Sequence, residues 1–309
     1  MPDTASGILI VDKHTGCTSH DIVNRIRRLY HTKSVGHTGT LDPDASGVLI
    51  LLIGRAVKAS EYIIAQNKSY QCDFRLGITT DTEDISGQIL TQNNAVPDRE
   101  SVLRSAKSFI GKSEQVPPMY SALKMNGKKL CDLARRGISI ERSARPIEIF
   151  CMEIHPLGTE QPPRDYQMQL CVSKGTYIRS LCRDIGAKLG CGATMLGLRR
   201  TQSGNFSLGQ AATMEEIEAM SDAERLKCLI PTEELFADFA RVTVEGRPYS
   251  LLKDGAPVAA SRLGISGEEG TKYRVYDSKG FWALANIVND NYNGQTIPSL
   301  KILKQFRLD

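Results

Sequence analysis

Apolar residues recur along the chain in two rhythms, and the switch between them lays out the elements. Two short unbroken runs, residues 8–11 and residues 48–53 between Gly47 and Gly54, read as buried strands, the second a central one. Period-two alternation at Tyr70, Cys72, Phe74 and Leu76 predicts a half-buried strand. The same rhythm returns over 147–154 and 166–172. Helical spacing places Ile22, Ile26 and Leu29 on one face of a helix over 22–30, with Ser19 or Asp21 as its N-cap. Further helices are predicted over 101–110, over 128–136 before Gly137, over 177–189 before Gly190, and after Thr213. Residues 36–47 are punctuated by Gly and Pro and predict a loop, and 79–87 is polar and turn-like.

Past a boundary near 237–242 the pattern changes. Segments 242–244, 272–276, 282–288 and 299–306 are short and β-like, and Gly246, Gly255, Gly264, Gly267, Gly270 and Gly280 separate them as turns of a small barrel would. The element order is mixed rather than regularly βαβ, so the fold class is α+β. Two units follow, 1–238 and 239–309.

With 309 residues, 41% hydrophobic and 24% charged, the chain can bury a core without disulfides or metals. Its eight cysteines are scattered with no Cys-x-x-Cys pair, which reads as reduced thiols, mostly small core residues. The longest apolar run, 48–53, is far short of the ~18 residues of a membrane helix. The apolar stretch 7–11 is flanked by Asp3 and Asp12 and lacks a basic leader, so no signal peptide is expected and a cytoplasmic location is. Of the five histidines, all but His155 lie between His14 and His37, yet no carboxylate or Cys pattern of ligand spacing accompanies them, and no metal is expected.

The net charge of +4 permits a nucleic-acid partner without requiring one. Clustering says more. Arg25, Arg27, Arg28, His31 and Lys33 form one group, Lys124, Lys128, Lys129, Arg135 and Arg136 a second, and Lys174, Arg179, Arg183, Arg199 and Arg200 a third. Each group could be a solvated helix face. Three of them together favour a surface that tracks phosphates.

Two segments carry candidate chemistry. Asp42 lies between Gly39 and Gly47, directly before Pro43, which stiffens it in extended backbone. A carboxylate displayed this way suits nucleophilic or general-base work, or merely caps its own turn. Asp44 shares the loop, so a glycosidase-like carboxylate pair is a competing reading. The second segment, Ser173-Lys174-Gly175-Thr176-Tyr177-Ile178-Arg179, joins a strand to a helix. A buried Arg179 there could hold a carboxylate ionised by bidentate pairing. Tyr70 could stack on a base or simply pack in the core.

Taken together, the motifs are recognisable. They include Ile8-Leu9-Ile10-Val11-Asp12-Lys13, Gly36-His37-Thr38-Gly39-Thr40-Leu41-Asp42-Pro43, Lys68-Ser69-Tyr70, Thr80-Asp81-Thr82, Pro118-Met119-Tyr120-Ser121-Ala122-Leu123-Lys124, the Lys174 to Arg179 segment, and Leu198-Arg199-Arg200. In this order, over most of residues 7–201, the chain resembles the TruB family of tRNA pseudouridine synthases. The resemblance implies a pseudouridine synthase fold, with a mixed, largely antiparallel sheet flanked by helices and a small β-rich PUA-like RNA-binding domain at the C-terminus. It implies isomerisation of uridine 55 in the TΨC loop of tRNA, without a cofactor, by a monomer with no obligatory protein partner. By position, Asp42 matches the catalytic aspartate, Tyr70 the tyrosine that stacks on the uracil, and Arg179 the arginine paired with the aspartate. Tyr177 and Leu198 match pocket-lining residues, and His37 the histidine beside the RNA stack. His14 departs from the proline common after Lys13. A non-catalytic tRNA-binding or folding protein on the same fold is the alternative, and intact Asp42, Tyr70 and Arg179 argue against it.

Overall fold

In the computed structural model, which describes residues 5–125, 127–292 and 294–307, the unbroken apolar runs become neighbours in a large sheet. Strand β1 (Gly7–Lys13) is followed by helix α1 (Ser19–Leu29), β2 (Val35–Thr38) and β3 (Ala45–Ile53). β1 and β3 pair antiparallel throughout, from Gly7 opposite Ile53 to Lys13 opposite Gly47. Both faces are covered. Leu9, Val11, Leu49 and Leu51 pack with Ile22, Val23 and Ile26 of α1, while Ile8, Ile10, Val48 and Ile50 pack with Ala56, Ile63 and Phe206. Two-sided burial is why these runs are continuous rather than alternating.

Two local elements differ from what their sequence pattern predicts. Helix α1 begins at Ser19, three residues before Ile22, because Thr18 and Asp21 form a capping box across its first turn. The predicted loop over 36–47 shortens to 39–44, because Gly36, His37 and Thr38 find backbone partners in Leu52, Leu51 and Ile50 of β3. Glycine and proline content alone does not reveal such an available edge.

The chain continues through α2 (Ser60–Ile64), β4 (Lys68–Leu76), the hairpin β5 (Ile78–Thr80) and β6 (Ile89–Gln92), α3 (Arg99–Lys107) and β7 (Gly111–Gln115). A small hairpin of β8 (Lys124–Met125) and β9 (Lys128–Lys129) precedes α4 (Leu130–Ala134), so the helix predicted over 128–136 keeps only its middle. Then come β10 (Arg145–Pro156), β11 (Asp165–Val172), α5 (Ile178–Lys188), β12 (Ala193–Ser203), β13 (Phe206–Ser207), β14 (Ala212–Thr213), α6 (Met214–Ala219) and α7 (Asp222–Lys227).

The main sheet runs β14-β1-β3-β12-β4-β11-β10-β7, with β2 added beside β3 and β13 beside β12. The β1–β14 and β3–β12 pairs are parallel and the other described pairs antiparallel, so the sheet is mixed and largely antiparallel. β12 is its joint, and Leu198 touches the apolar clusters on both sides of that joint. Helices α3 and α5 cover β4 and β11 through Val102, Ala106, Leu181 and Ile185 against Phe74, Met168 and Leu170.

A second sheet of five strands follows, in the order β15 (Ala240–Thr243), β17 (Lys272–Asp277), β18 (Gly280–Tyr292), β19 (Gln295–Gln305) and β16 (Val258–Ala259). It has its own core around Trp282, Val275, Ile287 and Leu300. Helix α8 (Gly246–Lys253) interrupts the run of short strands read from the glycines, supplying buried Leu252 to that core. An aromatic cluster joins the sheets, with Phe236 packed by Tyr62, Phe239, Phe281 and Phe306.

The eight cysteines are all free; only Cys72, Cys182 and Cys191 are buried, rather than most of them, and Cys151 is exposed. On alternating strands a residue's face decides its burial, whatever its type. No helix among the described residues is long and apolar enough to cross a membrane.

Candidate active site

Asp42 occupies the turn between β2 and β3, and that turn is held by buried side chains from three directions. Lys13, fully buried at the end of β1, donates from Nζ to His14 O at 3.0 Å, Pro43 O at 3.1 Å and Ala45 O at 2.7 Å. Arg200 of β12, 1% exposed, donates to Val48 O at 2.7 Å and Gly39 O at 2.8 Å. Ser19 exchanges hydrogen bonds with the backbone of Leu41. The carbonyls of 39, 41, 43, 45 and 48 thus meet side-chain donors, as buried backbone groups must find partners. The cationic donors give charge-assisted bonds. β12 can lie this close because residue 47 is glycine, at φ +102°, where a Cβ would sit 2.1 Å from Arg200 O. Burial pulls the Lys13 ammonium below its ordinary pKa, opposed by Cys17 and Asp42.

Arg179 rises from the first turn of α5 and is 5% exposed. Its Nε meets Asp42 Oδ2 at 3.0 Å. Nη1 donates to Thr82 O at 2.9 Å and lies 3.5 Å from Asp84 Oδ2, while Nη2 donates to Tyr120 O at 2.7 Å. The pairing with Asp42 is therefore single-point rather than the bidentate fork expected from sequence, because backbone carbonyls take the outer nitrogens. The second carboxylate near Arg179 is Asp84, whereas Asp44 is exposed and makes no ion pair with Arg179 among the described contacts. The Asp42 side chain keeps 42% of its surface open, yet protein crowds it on its other sides. That burial pushes its carboxyl above the ordinary value, Arg179 pulls it back, and Asp84 pushes it up again. The counter-ion alone does not decide its protonation.

Tyr70, half-buried on β4, packs against the apolar cluster beneath and lies opposite Leu170 of β11 and Arg200 of β12. Tyr177 is the N-cap residue of α5, with its backbone clamped by one side-chain amide. Tyr177 N donates to Gln115 Oε1 at 2.8 Å, and Gln115 Nε2 donates to Tyr177 O at 3.1 Å. Burial raises the pKa of its phenol. Leu198 is opposite Ala45 on one side and Cys72 on the other, tying the Asp42 turn to the strand that bears Tyr70. His37 lies on the strand entering the turn. Its Nδ1 is buried without a hydrogen-bond partner, and burial, then Arg200, lowers its pKa.

Sequence reading missed the parts played by Lys13, Gln115, Asp84 and Arg200. A lysine closing an apolar run was the one visible signal, since a buried ammonium needs acceptors. The third basic group is also reassigned. Arg200 and Arg179 are buried, Arg183 bonds Glu83 and Asp184, and Arg199 pairs with Asp12 at 2.6 Å, leaving Lys174 exposed. In the first group Arg25 pairs with Glu218, while Arg28, His31 and Lys33 are exposed. In the second, Lys124, Lys128 and Arg136 line an open cleft of about 470 Å³ with Asp132 and Leu133. The side chain of Lys129 lies outside the described part of the structure. Among the described residues no three His, Cys, Asp or Glu side chains gather as metal ligands would.

The fold is similar to that of a chain in an H/ACA ribonucleoprotein bound to a substrate RNA containing 2′-deoxyuridine (TM-score 0.70, 22% identity, 99% of this chain and 86% of that one). It is equally similar to a chain of a Cbf5–Nop10–Gar1 complex (TM-score 0.70, 24% identity, 97% and 85%). At these identities the likeness is one of fold, and the fold is that of the pseudouridine synthases. Residues 27–178 match the N-terminal domain of the TruB family pseudouridylate synthases, and residues 179–237 the tRNA pseudouridylate synthase B C-terminal domain. The chain is 40% identical over 300 residues to tRNA pseudouridine synthase B of Alkaliphilus oremlandii, covering 96% of this chain and 98% of that one. It is 42% identical over 279 residues to the protein of that name from Clostridium perfringens, covering 89% and 92%. The chain belongs to the TruB family of pseudouridylate synthases.

Proposed function

We propose that this chain isomerises uridine 55 in the TΨC loop of tRNA to pseudouridine, with Asp42 as the essential carboxylate. The observation that carries the reading is the 3.0 Å contact between Asp42 and a buried Arg179, on a chain whose relatives are named tRNA pseudouridine synthase B. The reaction breaks the N1–C1′ bond, turns the uracil, and rejoins it through C5, with no change of oxidation state and no cofactor. Attack on C1′ and removal of a C2′ proton both need the ionised carboxylate. Arg179 favours that form and aims it.

The target base must first leave its stack, at a cost of a few kcal/mol. Stacking on Tyr70, worth ~1–3 kcal/mol in comparable contacts, offsets much of this. Tyr177 and Leu198 line the pocket around the flipped uracil, and His37 stands beside the place it vacates. Residues 1–238 carry the chemistry. Residues 239–309, with a separate sheet and core, act as a small PUA-like domain that holds RNA. The enzyme works as a cytoplasmic monomer without an obligatory protein partner.

The test is tritium release from unmodified tRNA carrying 5-tritiated uridine. Wild type releases tritium and forms pseudouridine at position 55, while Asp42→Asn binds the RNA and does neither. Equal turnover by the two proteins refutes the role given to Asp42.

A further inference from the structure

The turn that orients Arg179 contains a backbone conformation that its sequence disfavours. Glu83 has φ +65°, one of two described non-glycine residues with positive φ. An L-residue is held in the left-handed region only where its surroundings impose it. They do here, through the side chain. The Glu83 carboxylate, 12% exposed, accepts from Ser180 Oγ at 2.6 Å and from the Arg183 guanidinium. The flanking backbone is tied as well, with Met195 N donating to Glu83 O at 3.2 Å and Ile85 N to Met195 O at 2.8 Å.

Both of the residues that bond the Glu83 carboxylate lie on α5, Ser180 directly after Arg179 and Arg183 one turn further on. The neighbours of Glu83 in the turn, Thr82 and Asp84, supply the carbonyl at 2.9 Å and the carboxylate at 3.5 Å that meet Arg179 Nη1. The helix that presents Arg179 therefore also grips the turn against which Arg179 is aligned. Such two-point fixation is what a guanidinium needs when it touches its catalytic partner through a single nitrogen.

We propose that Glu83 is a positioning residue for the reaction, its carboxylate locking the 81–84 turn onto α5 so that the Arg179 guanidinium keeps its register with Asp42. The inference rests on the catalytic role proposed above for Asp42 and Arg179. Glu83→Gly separates it from a merely structural role, because glycine accepts φ +65° without strain while removing the carboxylate. Glu83→Gln retains an acceptor for Ser180 and is the conservative rescue.

Single-turnover pseudouridine formation, tRNA Kd and Tm are measured for wild type, Glu83→Gly, Glu83→Gln and Asp42→Asn. The expected result is a rate lowered about 10- to 100-fold in Glu83→Gly, the scale on which an ångström of misplacement acts. Its Kd is expected to stay within about twofold, with partial recovery of the rate in Glu83→Gln. A wild-type rate in Glu83→Gly, or a loss that merely follows the unfolded fraction, overturns the proposal. An active Asp42→Asn would instead overturn the reading on which it rests.

Discussion

Replacing Gly47 by alanine tests the packing that seats the Asp42 turn. A Cβ at residue 47 would lie 2.1 Å from Arg200 O and 2.8 Å from Arg200 N, whereas ordinary contact begins near 3.4 Å. The obstacle is backbone, so β12 must retreat from β3 by about 1 Å at the register point where Arg200 faces Gly47. Two costs add. Holding alanine at φ +102° takes about 1–3 kcal/mol, and forcing the strands apart takes about 1–3 kcal/mol more. The sum, roughly 2–6 kcal/mol, is a large part of the ~5–15 kcal/mol that stabilises a typical fold. At about 2–4 °C per kcal/mol, Tm falls by roughly 4–24 °C. Because Arg200 also bonds the carbonyls of Gly39 and Val48, its retreat shifts the Asp42 turn, and the single-turnover rate drops by about 100-fold in the protein that remains folded. Gly190→Ala is the matched control. Its φ is +74° and nothing lies within 4 Å of the added Cβ, so it carries only the conformational cost of about 1–2 kcal/mol. Thermal melts and rapid-quench assays on both variants decide the matter. If Gly47→Ala loses no more stability than Gly190→Ala and keeps its rate, the close approach of β12 does not position the turn.

Two further outcomes follow from the geometry. The Asp42 carboxyl is raised above its ordinary pKa, chiefly by burial. A group raised on folding contributes stability below its unfolded pKa and loses it as pH rises through the folded value. Ionised Asp42 is therefore a net cost near neutrality. Asp42→Asn should melt higher than wild type at pH 7, with the gap closing as pH falls through the raised pKa; a lower Tm at pH 7 contradicts this. Phe236, 1% exposed among four aromatic rings between the sheets, should cost ~3–5 kcal/mol when cut to alanine. Denaturant unfolding measures this, and a loss below about 1 kcal/mol would mean that the aromatic cluster is not well packed.

Much of the architecture was legible because burial leaves a periodic trace. Residues 48–53 read as a central strand and are one, since a strand covered on both faces has no polar positions to spare. Tyr70, Cys72, Phe74 and Leu76 alternate because one face of β4 meets the core. Local pattern misleads where pairing, not patterning, decides. His37 stands in a glycine-rich stretch with the marks of a loop yet lies in β2, since β3 offers its segment an unpaired edge. Residues 128–129 carry helical spacing and pair with 124–125 instead.

For the site, the residues themselves fixed the chemistry available. Asp42 before a proline, Tyr70 on a strand and Arg179 at a helix start were identifiable from local pattern and from the motifs around them. Their arrangement was not. Whether a cation faces phosphate, a carboxylate or a backbone carbonyl depends on which strand lies beside it, and sequence spacing carries no such distance. Thus Arg200, placed by sequence on a phosphate-tracking surface, is a buried brace for the Asp42 turn. Lys13, hidden in an apolar run, holds the turn from the other side. Burial is a property of three-dimensional neighbours, so only the tertiary structure could make Arg179 a single-point partner of Asp42 and set Asp84 as the second carboxylate near its guanidinium.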